Sequence, residues 1–255
     1  MLLTILRVAL LFVLTGLMVG CVSSGSGNPM RTSEGRDEAR DAYIQLGIGY
    51  LQQGEASRAK TPLRKALELD PNSADAHAAL ALVFQNEMES QLADEHYRKA
   101  LSSRNDARIL NNYGSFLFEQ KRYQEAMERF AKAAEDNLYS GRSHVFQNMG
   151  MTALKLGQRE QAETYFTRSL RLDSRQPRAL LELALMAYED KQYVPAKRYY
   201  EGFSSLSEQN ARSLLLGARL AKIHQDRDQA ASLGLQLKRL YPGSPEYQQF
   251  LSEQR

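Results

Sequence analysis

Small and apolar residues recur along this chain at helical spacing, and the whole pattern repeats about every 34 residues. In the first copy, residues 43–72, they form two sets: Leu46, Gly47 and Tyr50, then Ala59, Leu63 and Ala66. Residues spaced in this way share one face of an α-helix. Gly54 supplies a turn between the sets, and Pro71 ends the second because proline cannot continue a helix. The pattern therefore predicts a hairpin of two short amphipathic helices.

The hairpin pattern returns almost to the end of the chain. The positions equivalent to Leu46 are Leu80, Tyr113, Met149, Leu183 and Gly217. The interval between the third and fourth copies is longer, which places extra residues in the loop 136–142. A helix pair with a small-residue face needs a neighbour to cover it, so the copies are expected to stack. We divide residues 36–250 into six copies, at about 40–73, 74–106, 107–140, 143–176, 177–210 and 211–245.

This pattern resembles the tetratricopeptide repeat, a helical hairpin in which Leu-Gly, Tyr, Ala, Phe, Ala and Pro recur at fixed places. The first copy matches it best, and only the first and sixth copies keep the closing proline. The tryptophan position of the repeat is occupied by Tyr43, His77, Leu110, Phe146, Leu180 and Leu214. The resemblance implies an all-α, right-handed solenoid of about six hairpins, in which length provides binding surface. We expect it to act as a monomer.

Charge and histidine placement argue against several kinds of site. The chain has 33 Lys and Arg against 30 Asp and Glu, and its net charge of +3 is too small to indicate a nucleic-acid partner. The histidines, His77, His96, His144 and His224, are scattered, and no His-Glu-x-x-His motif is present. We therefore predict no metal site, no cofactor and no enzymatic activity.

One short motif is compatible with catalysis. Ser57-Arg58-Ala59-Lys60 matches the S-x-x-K motif of penicillin-binding proteins, but no S-D-N or K-T-G sequence follows it. Ser57 also lies where the second helix of the first copy is expected to begin, and serine is common at that position. The motif is better explained as a helix start.

The first 21 residues do not fit the repeat. Met1 and Arg7 precede an apolar run, residues 8–17, which is followed by Met18-Val19-Gly20-Cys21. This ending resembles a bacterial lipobox, which implies a lipoprotein signal peptide at residues 1–20 and acylation of Cys21, with palmitate among the chains. An ordinary signal peptide or a buried structural cysteine are the alternatives. Cys21 is the only cysteine, so no disulfide framework explains it.

The lipobox resemblance also implies a cellular location. Val22 is not the aspartate that marks inner-membrane retention, so a Gram-negative lipoprotein of this kind is expected at the periplasmic face of the outer membrane, held in outer-membrane lipid by Cys21. Residues 21–35 are rich in Ser and Gly and are predicted to be a flexible tether that spans on the order of 20 Å. Asp37 and Glu38 are predicted to lie in the first turn of the first helix.

The repeat resemblance implies a concave face lined by the first helix of each hairpin. In this repeat, the residue after the tryptophan position and the residues four and seven beyond it point into that face. The candidate partner-binding residues are Ile44, Ile48, Leu51, Ala78, Leu82, Gln85, Asn111 and Phe118. Ile44, Ile48 and Leu82 would form an apolar strip that can bind a helix or an extended segment of a partner. Alternatively, the superhelix covers the strip, or the register is off by one and these are core residues.

Three longer segments, residues 35–85, 111–126 and 210–250, closely resemble the type IV pilus pilotins, a family of outer-membrane lipoproteins. The resemblance implies that the chain binds subunits of the pilus secretin, brings them to the outer membrane and promotes their multimerisation, in support of pilus biogenesis and twitching motility. Two alternatives stay open. One is a helical-repeat scaffold lipoprotein of outer-membrane β-barrel assembly, and the other is a regulator or enzyme of cell-wall synthesis that would use Ser57 and Lys60.

Overall fold

The computed structural model describes residues 29–254, and in that range the chain is all-α, as predicted. A short 3-10 turn, Pro29–Arg31, precedes six antiparallel helix pairs and a final helix. The helices are α1 (Ser33–Gln52), α2 (Ala56–Leu69), α3 (Ala74–Asn86), α4 (Ser90–Ser103), α5 (Ala107–Glu119), α6 (Tyr123–Ala134), α7 (Arg142–Lys155), α8 (Arg159–Leu172), α9 (Pro177–Glu189), α10 (Tyr193–Ser204), α11 (Ala211–Ile223), α12 (Arg227–Leu240) and α13 (Pro245–Ser252).

Each hairpin turns at one residue in the left-handed backbone region. Gly54 and Gly157 have φ of 77° and 74°, and the other four hairpins place a non-glycine residue there with φ of 60° to 63°: Met88, Lys121, Lys191 and Gln225. These six residues keep the spacing of the predicted copies. The prediction that Gly54 closes the first helix in this conformation is confirmed.

Close approach within a hairpin depends on small residues of the first helix. A Cβ on Gly47 would lie 2.5 Å from Leu63 Cγ, which is too close for any side chain. Gly114 and Gly150 meet the rings of Phe130 and Phe166 in the same way. The predicted second-helix set of the first copy, Ala59, Leu63 and Ala66, is fully buried.

The start of α1 differs from the predicted boundary. The Thr32 hydroxyl accepts a hydrogen bond from the Gly35 backbone N–H, and this cap begins the helix at Ser33. Residues 33–35, which the sequence assigned to the tether, are therefore helical, and Glu34 rather than Asp37 or Glu38 occupies the first turn. Composition alone did not reveal this helix start, because serine and threonine are common both in flexible linkers and at helix N-caps.

Helix α13 was not predicted as a separate element. It follows the sixth hairpin and packs its Phe250 ring over Gly234 of α12, where a Cβ would lie 2.2 Å from Phe250 Cζ. The other copies place a large residue, such as Tyr200 or Phe166, where the sixth has Gly234. Phe250 thus fills the space from outside the hairpin. No helix within residues 29–254 is long and apolar enough to cross a bilayer.

Candidate partner-binding groove

An open cavity of about 740 Å³ lies on the face formed by the first helices of the first three hairpins. Its apolar floor comes from α1 and α3: Ile44, Ile48, Leu51, Ala79 and Leu82. The turn-by-turn spacing of Ile44, Ile48 and Leu51 puts these three on one side of α1. Because α3 lies beside α1, Leu82 falls next to its equivalent, Ile48, and the two helices together make one apolar surface.

Four of the eight predicted groove residues line this cavity: Ile44, Ile48, Leu51 and Leu82. Ile44 is only 4% exposed, since it also packs with Ala66 and Ala76 in the core between the first two hairpins. Ile48, Leu51 and Leu82 are half-buried. Ile44 therefore forms the base of the groove, while the other three present accessible apolar surface.

The other four predicted residues do not line this cavity. Ala78 is a core residue with 2% exposure, and its neighbour Ala79, itself only 3% exposed, is the alanine that borders the cavity. Gln85 accepts a hydrogen bond from the Tyr97 hydroxyl and donates one to Glu119. Asn111 accepts one from Asn148, and the Phe118 ring packs edge-on against Tyr123 with centroids 5.3 Å apart.

A polar rim that the sequence reasoning missed surrounds the floor. Asp41, Asp75 and Arg108 occupy the same position in the first three copies, three residues before the first position used to place the groove. Because these three polar residues share one repeat position, the sequence alone could have indicated that they lie together at the edge of the groove. The remaining polar lining residues are Gln45, Gln52 and Asn86.

The rim charges are largely neutralised by one another. Arg104 and Arg108 donate to the same Asp75 oxygen at 2.8 Å and 2.5 Å. Burial raises the pKa of Asp75, but the hydrogen bonds and charges of these two guanidinium groups outweigh it and hold that pKa below its usual range. Gln45 and Gln52 are exposed and make no side-chain hydrogen bond in the described part of the chain. The rim thus offers free amides and little net charge around an apolar floor.

Two of the scattered histidines meet behind the groove. His77 Nε2 lies 3.0 Å from the Pro71 carbonyl oxygen, which can only accept, so this nitrogen carries the proton. His77 Nδ1 therefore accepts a hydrogen bond from His96 Nδ1, at 3.0 Å. Burial lowers the pKa of both rings, that of His96 to about 4. The pair is a neutral link between α3 and α4, and no group of three or more potential metal ligands occurs within residues 29–254.

Ser57 and Lys60 do not form a nucleophile and base pair. The Ser57 hydroxyl donates to Glu87 Oε1 at 3.3 Å, and Lys60 Nζ lies 2.5 Å from Glu87 Oε2. Glu87 thus engages both side chains, Ser57 through a hydrogen bond and Lys60 through an ion pair. Cys21 lies outside the described residues, so its lipidation stays a prediction.

Comparisons with known proteins agree with this architecture. Family models of the tetratricopeptide repeat match residues 41–87 and 105–175. The chain is 61% identical over 248 residues to the type IV pilus assembly protein PilF of Pseudomonas aeruginosa, covering 97% of this chain and 98% of the relative.

Two solved structures share the fold along most of the solenoid. The structure of Pseudomonas aeruginosa PilF superimposes with a TM-score of 0.85 at 63% identity, covering 86% of this chain and 99% of that one. The crystal structure of PilW, a widely conserved type IV pilus biogenesis factor, gives a TM-score of 0.70 at 32% identity, covering 83% and 98%. By sequence and by fold, the chain belongs to the PilF family of tetratricopeptide-repeat proteins of type IV pilus assembly.

Proposed function

We propose that this chain acts as a pilotin: its groove binds an apolar segment of a type IV pilus secretin subunit, and acylated Cys21 holds the complex at the periplasmic face of the outer membrane. The pilus assembly family supplies the biological context. The observation that carries the proposal is the apolar floor of the 740 Å³ cavity, which successive hairpins build from Ile48, Leu51 and Leu82. Exposed apolar surface of this kind is costly in water and is typical of a protein-binding site.

The chemistry of the groove indicates the kind of segment that fits. The floor would take the apolar side chains of a helix or an extended strand. The free amides of Gln45 and Gln52 can hydrogen-bond polar backbone groups at the rim, and the cluster of Asp75 with Arg104 and Arg108 does not select a strongly charged ligand. A segment of this character is prone to aggregate on its own, so binding would keep a secretin subunit soluble.

Assembly then needs no chemical step. Acyl chains contribute about 0.8 kcal/mol per buried methylene, so two or three of them would hold the protein stably in a bilayer. A short tether before α1 would keep the groove, and the secretin segment bound in it, close to the membrane. The resulting rise in local concentration favours oligomerisation of the secretin.

Charge substitutions in the groove test this function. Ile48→Asp and Leu82→Asp should each weaken binding of a purified secretin subunit at least tenfold, because a carboxylate would be buried against an apolar segment without a partner. Fluorescence anisotropy with labelled secretin measures the affinity, and far-UV circular dichroism checks that helicity is kept. Leu138→Asp is the matched control, because Leu138 is 94% exposed in the loop before α7, outside the groove.

Crosslinking identifies the partner independently. A photo-crosslinking residue at position 48 or 82, in cells, should capture secretin. Recovery of a β-barrel assembly component in its place, or unchanged secretin affinity in both groove variants, would overturn the proposal.

A further inference from the structure

The opposite end of the solenoid carries a second concave site of different chemistry. Arg219 and Lys222 of α11 stand at the positions equivalent to Ile48 and Leu51 in α1. Tyr188 of α9 is the fifth-hairpin residue equivalent to Lys222, and the Arg219 guanidinium carbon lies 5.7 Å from the centre of its ring. The same face of the molecule therefore changes from apolar in the first hairpins to cationic and aromatic in the last.

A carboxylate already occupies this cationic site. Both Glu253 oxygens contact the Arg219 guanidinium: Nη2 forms an ion pair with Oε1, and Nε donates to Oε2 at 3.2 Å. Lys222 Nζ donates to the Glu253 backbone carbonyl at 3.1 Å. Paired contacts between a planar guanidinium and both oxygens of one carboxylate are among the most geometrically selective ionic contacts in proteins.

The site opens into a cavity of about 690 Å³. Its lining includes three cations, Arg219, Lys222 and Arg227, against the single carboxylate of Glu253. Arg227 is exposed and makes no ion pair in the described part of the chain. The adjacent Asp226 does not line the cavity, and its side chain accepts the Gln229 backbone N–H at the start of α12. The cavity is therefore positively charged even with Glu253 in place.

We propose that this cavity is a second protein-binding site, which takes an aspartate or glutamate carboxylate of an acidic peptide segment, and that Glu253 occupies the carboxylate position in the unbound chain. Glu253 can leave without unfolding the end of the solenoid, because α13 ends at Ser252 and is held through Phe250 and Tyr247. A partner carboxylate on Arg219 would then replace an equivalent internal contact. The site is separate from the groove, and the proposal does not depend on the secretin.

The shape of the site favours a peptide over a lipid headgroup. Its walls are formed by two antiparallel helices and α13, with small apolar residues, Ala218, Ala230 and Ala231, beside the cations. A side chain on a flexible backbone can enter a concave cavity of this size, whereas the flat surface of a bilayer cannot reach Arg219 between the helices. The apolar walls also give the methylene groups of an acidic side chain a surface to pack on.

Peptide binding to the full chain and its variants tests the proposal. The probe is a short, capped, fluorescein-labelled peptide with two aspartates among alanines and glycines, and its copy with asparagines is the control. Glu253→Gln removes the internal competitor and should tighten binding of the aspartate peptide about five- to tenfold. Arg219→Gln should weaken it at least tenfold. Arg178→Gln, at an exposed arginine of α9 outside the cavity, should leave the affinity unchanged.

The outcomes are distinct. Far-UV circular dichroism and the thermal midpoint check that each variant is folded, and Arg219→Lys gives a second, more conservative test of the fork geometry. Equal binding of the aspartate and asparagine peptides, or no gain in affinity in Glu253→Gln, would overturn the proposal. So would Arg219-dependent binding to phosphatidylglycerol vesicles in the absence of any affinity for the aspartate peptide. A failure here would leave the secretin proposal intact, since the probe contains no apolar segment.

Discussion

At the scale of single residues, four hairpin turns hold a side chain in a backbone conformation that glycine adopts more easily. Met88, Lys121, Lys191 and Gln225 have φ near 60°, and Gly54 and Gly157 occupy the same place in the other hairpins. A Cβ at this φ is crowded by the following carbonyl oxygen, which costs roughly 1–2 kcal/mol per residue. Comparing the six turns therefore measures how much a side chain in this conformation lowers the free energy of unfolding.

Exchanging residues within this series should move stability in opposite directions. Lys191→Gly should raise the free energy of unfolding by about 0.5–1 kcal/mol, the gain in the folded turn being offset in part by the more flexible unfolded chain. Gly54→Ala should lower it by about 1 kcal/mol. Urea denaturation followed by circular dichroism measures both, and Lys191→Ala separates loss of the lysine from gain of glycine. A destabilised Lys191→Gly would show that the side chain compensates for the turn by contacts of its own.

The His77–His96 pair gives folding a pH dependence of known sign. The pKa of His96 falls from 6.5 to about 4 on folding, and that of His77 is also lowered, so the folded state binds fewer protons than the unfolded state between these values. Stability is fully present above pH 6.5 and falls as the pH drops towards 4. Lys99 adds to this effect, while Glu95 and Asp70 oppose it.

Replacing His96 should remove most of this dependence. Between pH 7 and pH 4.5 the wild-type chain should lose roughly 1–2 kcal/mol more stability than His96→Gln, less than the full shift would give because the His96 side chain is only partly buried. Urea midpoints measured across that range provide the comparison. His144→Gln, at an exposed histidine, is the control and should follow the wild type. Parallel curves for wild type and His96→Gln would exclude the pair as the titrating unit.

At the scale of helices, α13 completes the last hairpin in place of a further repeat. Phe250 enters the space that Gly234 leaves in α12, and Tyr247 packs against the same cluster, which includes Leu214, Leu233 and Leu237. Arg219 ties the end of the helix through Glu253. A solenoid exposes its terminal apolar face unless a capping element covers it, and α13 has that role here.

Truncating the ring should expose that face. Phe250→Ala should destabilise the sixth hairpin by about 1–3 kcal/mol, because Gly234 offers no side chain to fill the cavity. Hydrogen exchange should then accelerate in α12 and α13 and stay unchanged in α1–α4, since repeats contact only their neighbours. Leu251→Ala, at a 40% exposed neighbour, is the matched control. Uniform acceleration along the chain would instead indicate that the solenoid unfolds as one unit.

The helices themselves were largely predictable, because a period of 34 residues encodes both a hairpin and its neighbour. The small-residue face that contains Gly47 and the turn at Gly54 followed directly from residue type and spacing, and the structure packs Leu63 against Gly47. The features that could not be predicted depend on contacts outside a single repeat. Phe250 packs over Gly234 from a helix that lies outside the repeat pattern, so repeat spacing does not predict the contact. The Thr32 cap likewise precedes the first copy. Which of two adjacent buried alanines, Ala78 or Ala79, borders the groove depends on packing between hairpins.

At the scale of the whole molecule, the position of a residue along the stack decides its environment. Leu46 is 49% exposed, whereas its equivalents Leu80, Met149 and Leu183 are at most 5% exposed. They are covered by a preceding hairpin, and within residues 29–254 no hairpin precedes α1.

Folding and membrane localisation should be separable by mutation, because the proposed anchor at Cys21 precedes the whole described solenoid. Cys21→Ser should leave the thermal midpoint and the affinity of the groove for a secretin subunit unchanged, since no residue of α1–α13 is altered. The same variant should be lost from the outer-membrane fraction, because the acyl chains that would supply about 0.8 kcal/mol per buried methylene are absent. Secretin multimers should then fall in number even though each subunit can still be bound.

Three measurements test this prediction: anisotropy for binding, membrane fractionation for localisation and secretin immunoblots for multimer formation. A lipidation signal from an unrelated lipoprotein should restore localisation and multimer formation. A Cys21→Ser protein that still sediments with the outer membrane would rule out the acyl anchor, whereas a soluble variant that still assembles secretin would rule out tethering as the means of assembly.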